Sequence, residues 1–357
     1  MSYQIGIDTI HLRPTPRLGH IEYCDSAPLI EAVTGEADQN WNTPRFNDAW
    51  EIDLLWTTDD GPVPWSTRGR VTDMGHAEFV IHGTDLRQPK VSPFQRAEDV
   101  WAFDAVAEYG LPDMDGLVAY YEQNFQNGSR QSPSQVITGG YYKTIVSGAI
   151  EAFGWDALLL GASDPGKFEK VLDSIFRLSL HHFQAWAQTS IEVFICHDDM
   201  VWSQGAFIRP AFYRSVIFPR YRQLWSVLKQ AGKKVLFCSD GNWSSFVDDI
   251  AAAGADGFIF EPMMALDPVV EKYGKTHVII GSKVDCTTLA LKGIPEIQAE
   301  IDATLPLAMR CPGFFFAVGN HMPANIPIEN GLFYFEYLKK HWNRNDPSKD
   351  VIPTRNE

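Results

Sequence analysis

Five short apolar runs in this chain each stop at side chains that carry charge or form strong hydrogen bonds. The run at 190–196 leads into His197, Asp198 and Asp199, and the run at 234–238 into Asp240 and Asn242. The run at 257–260 ends at Glu261, that at 277–281 at Lys283 and Asp285, and that at 313–318 at Asn320 and His321. Such turns could equally have been built from Gly, Ser or Pro. Carboxylates pooled in a partly dry pocket raise one another's pKa or recruit a cation. Either result is usable chemistry: a carboxylic acid that can give up a proton near neutral pH, or a Lewis acid.

Each residue also has a plainer reading. Asp240, ahead of Gly241-Asn242, suits an Asx-type turn that caps the following helix. His197-Asp198-Asp199 is similar to the His-Asp signature of metal phosphohydrolases, but that signature sits on helices and this one ends a strand. His181-His182 lies inside a helical pattern and reads as packing or surface. Cys238, Asp240 and His321 would make an open zinc site with one free position. One thiolate mixed with a carboxylate is an uncommon catalytic zinc set, so zinc is not favoured.

The elements that must position these residues alternate in type. "SIEVFICHDD" is strand-like, and "AFIRPAFYRSVIFPRYRQLWSVLKQAG" follows with helical spacing and Gly232 as its stop. "KKVLFCSDGNW" is a strand, "SSFVDDIAAAGAD" a short helix, and "GFIFEP" a strand. "DPVVEKYG" is a helix with Asp267 capping and Pro268 at its first position. "THVIIGSKVD" and "GFFFAVGNH" are strands separated by a helix carrying Ile297, Ile301 and Leu305 on one stripe, and "IENGLFYFEYLKKHW" is the last helix. Nearly all-apolar strands alternating with helices imply a parallel sheet covered on both faces. Earlier, "IDLLW" (52–56), "AEFVIHG" (77–83) and "SQVITG" (134–139) are candidate strands, and Asp164-Pro165 opens a helix. The total is about eight strands. The fold class expected is α/β, a single-domain (β/α)8 TIM barrel: an N-terminal extension at 1–50, the barrel at 51–345 and a flexible tail at 346–357. An open doubly wound sheet is the alternative, weakened by the lack of any GxGxxG or GxxxxGK[ST] loop. In a barrel all strand C-termini converge on one mouth, which would gather the residues above.

Composition narrows the partners. The chain has 357 residues and a formal net charge of −15, which argues against nucleic acid or an anionic membrane. Its five cysteines are odd in number, widely spaced and without a CxxC pair, as expected of free thiols in a reducing cytosol. The N-terminus shows no signal-peptide pattern, and no apolar run approaches the roughly 18 residues of a membrane helix. A soluble cytoplasmic protein is expected; a homodimer is left open.

At "HDDMVWSQG", "FPRYRQLW", "KKVLFCSDGNW" and "VGNHMPANIPIENG" the chain resembles the uroporphyrinogen decarboxylase superfamily. Within it, the chain is similar to the corrinoid-dependent methyltransferases, above all the aryl methyl ether O-demethylases. The resemblance implies a barrel with its pocket at the C-terminal mouth. "HLRPTPRLGHIEY" lacks the aromatic and paired basic residues with which the decarboxylases clamp porphyrin carboxylates. The thiol-specific zinc methyltransferases carry His-x-Cys where Cys238-Ser239-Asp240 stands, and a later cysteine near Gly319-Asn320 where none exists. The resemblance therefore implies methyl transfer from a methoxylated aromatic such as veratrol, guaiacol or vanillate to a cobalt(I) corrinoid. No Asp-x-His-x-x-Gly cobalamin signature is present, so the corrinoid would arrive on a partner protein docked over the mouth. The expected catalytic residues are Asp240, His321, Glu261, His197 and Asp285. Asp198, Asp199, Asn242, Lys283 and Asn320 are expected to bind substrate.

Overall fold

The computed structural model describes residues 2–37, 43–62 and 92–344. Nine strand segments occur in it: β1 (Gly19–His20), β2 (Leu54–Leu55), β3 (Val136–Ile137), β4 (Gly139–Tyr141), β5 (Val193–His197), β6 (Lys234–Cys238), β7 (Gly257–Ile259), β8 (Val278–Ile280) and β9 (Phe314–Phe316). β4 through β9 pair in chain order, all parallel, and β9 pairs in turn with β1. β2 pairs with β3, which runs on into β4 after one residue. The remaining seam is closed where the Asp53 N–H donates to the His20 carbonyl at 2.8 Å. The result is a single-domain eight-stranded (β/α) barrel, as expected.

Strand periodicity sorts the side chains. Ile21, Leu54, Val136, Val193, Ile195, Leu236, Ile259, Val278, Ile280 and Phe315 fill the barrel interior as one apolar cluster. Their neighbours Phe194, Cys196, Val235, Phe237, Phe258 and Ile279 point outward, under the helices. Gly19 faces the interior opposite Phe315, where a Cβ would lie 2.6 Å from that ring. The helix Ser2–Ile10 packs across the N-terminal end of the barrel, adding Ile10 to the interior cluster. The opposite end is left for the site.

The boundary expected at residue 50 is corrected: β1 lies within the first fifty residues and pairs with β9. A two-residue strand has no periodicity to read, which is why the segment looked like an extension. What fixes it is an ion pair. Arg17 donates to both oxygens of Asp53, at 2.6 and 2.8 Å, and its guanidinium sits 4.3 Å from the centre of the Trp342 ring. The candidate strand at 77–83 and the tail at 346–357 lie outside the described residues. Most helix ends fall as expected: Asp164 caps Pro165–Ala187 by accepting from Lys167 N, and Gly232 follows Phe218–Gln230 at φ 77°. Asp267 does not cap. The helix Leu266–Tyr273 starts earlier, with Ala265 as its N-cap, and Asp267 pairs with Lys283 at 2.9 Å. Pro268 is tolerated because first-turn N–H groups have no intrahelical acceptor.

His182 packs, as expected, with no exposure, between Tyr121 and Tyr141; Tyr121 Oη lies 2.7 Å from its Nδ1. Burial, with the His181 charge adding to it, pushes its pKa down to about 3. A depressed histidine stabilises the fold above its unfolded value and loses that stability as pH falls. The expected cost is about 1.4 kcal/mol per pH unit below roughly 6.5, because only the unfolded chain takes up the proton. Urea unfolding of wild type and His182→Phe between neutral pH and pH about 5 tests this. The variant should lose distinctly less stability; parallel losses would reject the account.

Candidate active site

Strand parity decides which expected residues reach the mouth. Val193 and Ile195 point inward, so His197 and, two residues on, Asp199 continue that face; Leu236 and Cys238 do the same for Asp240. Asp198 has the opposite parity. Its buried carboxylate accepts from Val146 N at 3.1 Å, Ser147 N at 2.6 Å and Tyr221 Oη at 2.5 Å. It therefore holds the N-terminus of the helix Val146–Phe153 instead of gripping substrate. Burial pushes its pKa up to about 6 against those three donors.

Two connected groups form at the mouth. In the first, Asp199 Oδ1 accepts from His197 Nε2 at 3.0 Å and from Asp240 N at 2.8 Å, and its Oδ2 accepts from Tyr142 Oη at 2.7 Å. The Tyr142 ring stacks on His197 with centroids 3.9 Å apart, and Trp56 meets the same imidazole edge-on at 5.3 Å. The pKa of Asp199 is lowered: burial raises it, but the His197 charge and the three hydrogen bonds outweigh that. In the second group, Asn320 Nδ2 donates to Asp240 Oδ2 at 3.2 Å and to Glu261 Oε1 at 3.1 Å. Gly241 N donates to Glu261 Oε2 at 2.7 Å. Asn320 reaches this position from a left-handed backbone, φ 64°, and its Oδ1 is bonded to His321 Nδ1. Gly241 is required here as well: its φ is 82°, and a Cβ would lie 2.8 Å from the Trp202 carbonyl oxygen. Burial, with Asp199 and Asp285 adding to it, pushes the pKa of Glu261 up.

A cavity opens beside these groups. Glu22, Tyr23, Trp56, Cys238, Asp240, Phe260, Glu261 and Asn320 are among its lining residues. His197 stands behind Trp56, and His321 is buried against Tyr23, ring centroids 6.2 Å apart. Three further expected residues carry other tasks. Asn242 accepts from Ser244 N in a turn, and Lys283 pairs with Asp267. Asp285 caps the helix Cys286–Leu291 by accepting from Thr287 N at 2.6 Å. Local turn chemistry wins at Asn242 and Asp285 because an amide or carboxylate just past a strand also suits the turn or cap that opens the next helix, and at Lys283 an ion pair does.

Glu22, Tyr23, Trp56 and Tyr142 were missed. Glu22 and Tyr23 follow a two-residue strand, which leaves no pattern to detect. Trp56 ends the strand-like stretch at 52–56 and Tyr142 lies three residues past that at 134–139, and extending the survey of strand ends to those two would have found them.

The residues that come together as a potential cation site are not the three weighed from the sequence. His197, Asp199 and Asp240 each bring one potential ligand atom within 4.8 Å of the other two. Cys238 faces the cavity, but burial and the charges of Asp240, Asp199 and Glu261 push its pKa far up. Cys238, Asp240 and His321 do not bring three ligand atoms together in this way among the described residues. They therefore fit zinc poorly.

Comparison with known proteins agrees with this architecture. The family described as uroporphyrinogen decarboxylase (URO-D) matches residues 152–341, more than half of the chain. No curated protein matches. Among solved structures, a methyltransferase from Methanosarcina mazei superposes with a TM-score of 0.65 at 16% identity, covering 95% of this chain and 98% of its own. At that identity the likeness is one of fold. A GH20 exo-β-N-acetylglucosaminidase from Vibrio harveyi, at TM-score 0.45 and 9% identity over 93% of this chain and 55% of its own, adds no argument. By the family match, this chain belongs to the uroporphyrinogen decarboxylase (URO-D) family.

Proposed function

We propose that the protein is a methyltransferase that moves the methyl group of a methoxylated aromatic, such as veratrol, guaiacol or vanillate, to the cobalt(I) corrinoid of a partner protein docked over the mouth. The observation that carries this reading is the pair of carboxyl groups, Asp240 and Glu261, held at one cavity by the single amide of Asn320. The corrinoid supplies the nucleophile that takes the methyl carbon. The carbon–oxygen bond then breaks toward oxygen, and a phenolate whose conjugate acid has a pKa of about 10 leaves best if a proton reaches it. Glu261, pushed up by burial, favours keeping a proton in this carboxyl pair. Asp240 lines the cavity and gives the proton a route to the ether oxygen. His197, oriented by Asp199, stands behind as the group that returns it.

The lining charges favour some donors over others. Three carboxylates (Glu22, Asp240 and Glu261) and no Lys, Arg or His are found among the described lining residues. A decarboxylase for a polyanionic porphyrin needs the opposite lining. The neutral ethers veratrol and guaiacol fit better than the vanillate anion.

The test mixes the protein with a cobalt(I) corrinoid protein and a panel of veratrol, guaiacol, vanillate, methanol and methylamines, and follows the absorbance of methylcobalt formation. Turnover is expected on the neutral methoxyarenes, more slowly on vanillate. Turnover only outside the methoxyarenes would overturn the substrate, and carbon dioxide release without a corrinoid partner would overturn the reaction.

A further inference from the structure

We infer that the same cavity admits a methylated ammonium ion, giving this protein a second class of methyl donor in which the methyl sits on nitrogen. Binding of the cation rests on the cavity alone; its use as a donor rests on the methyl transfer proposed above.

What the cavity offers is hydrogen-bond acceptors and aromatic faces. Three donors beside it are already engaged: Asn320 Nδ2 with Asp240 and Glu261, Gly241 N with Glu261, and Val318 N with the Glu22 carboxylate at 3.1 Å. An ether oxygen, itself an acceptor, meets carboxylates here and gains most once one of them is protonated. A quaternary ammonium needs no donor. It requires negative charge nearby and π faces, and the cavity supplies both, the rings being Tyr23, Trp56 and Phe260. No cationic side chain among the described lining residues competes for that place.

The chemistry balances without the acid. The cobalt(I) nucleophile supplies the electron pair for the new bond to the methyl carbon. The carbon–nitrogen bond breaks, its pair returns to nitrogen, and a neutral amine leaves with no proton required. The cation and the ether would therefore use one cavity but depend differently on its carboxyl groups: the ether for a proton, the onium for charge.

Choline and 3,3-dimethylbutan-1-ol have nearly the same shape and differ in the charge at the branched centre. Calorimetry with each should show choline bound at least about tenfold more tightly. In Glu261→Gln that preference should fall by about tenfold, and Asp240→Asn carries the same expectation should the first variant fail to fold by circular dichroism. Choline binding no tighter than the alcohol, absent binding included, overturns the inference, as does an undiminished preference in a folded variant. Methylcobalt formation from veratrol, measured on the same preparation, reports the proposed ether reaction independently. A protein that turns over veratrol yet ignores choline loses only this inference.

Discussion

Asp240→Asn should slow methyl transfer from veratrol to the corrinoid protein by about 10²-fold or more, with substrate affinity nearly unchanged. The substitution keeps size and shape, and the Asp240 backbone N–H still donates to Asp199. What it removes is the carboxyl group that lines the cavity and shares the Asn320 amide with Glu261. An amide in that place cannot pass a proton to a departing phenolate. A donor with a better leaving group needs less help, so the deficit should shrink as the phenol of the product becomes more acidic. A merely structural Asp240 would give one constant deficit across the series. A rate near wild type on veratrol would return Asp240 to the turn reading. The pH profile offers a second check. Glu261 is pushed above the usual carboxylate range, so a reaction needing its proton should decline as pH rises through that raised value. Glu261→Gln should abolish that decline.

The largest expected effect on stability comes from a pair distant from the chemistry. Asp53→Asn should cost about 3–5 kcal/mol, because it leaves the buried Arg17 guanidinium with only the partly exposed Glu51 carboxylate, 3.5 Å away, as counter-charge. Both partners are nearly inaccessible, with relative exposures of 6% for Arg17 and 0% for Asp53. Asp53 Oδ2 also accepts from His20 N at 2.9 Å, so one carboxylate binds Arg17 and β1 together at the seam of the barrel. Replacing both residues, Arg17→Met with Asp53→Leu, removes the poorly compensated charge and should recover much of the loss. Urea denaturation of the three proteins measures it. A loss below about 1 kcal/mol in Asp53→Asn would mean the pair behaves like a surface salt bridge.

The apolar runs that stop at polar residues were enough to locate β5 through β9 and to bring His197, Asp240, Glu261 and Asn320 forward as mouth residues. That information is local, because a parallel strand buried on both faces must be apolar throughout and must end where polarity resumes. The same uniformity hides which side chains face the barrel interior. Asp198 and Asp199 are indistinguishable in the sequence, yet one caps a helix and the other orients His197. Only strand register separates them, and register is set by pairing with β4 and β6. The seam is equally illegible. β2 falls within the apolar run at 52–56, but β1 is two residues long, too short for any period, and it is placed by the Arg17–Asp53 pair across 36 positions of chain. Glu22 and Tyr23 enter the cavity only because that seam closes. The amide bridge from Asn320 to two carboxyl groups depends on a left-handed backbone at one residue and on strand ends 59 and 80 positions away. A sequence can nominate residues for chemistry by type and by place along a strand. Their distances, and therefore their charges and roles, come from packing among segments that are far apart in the chain.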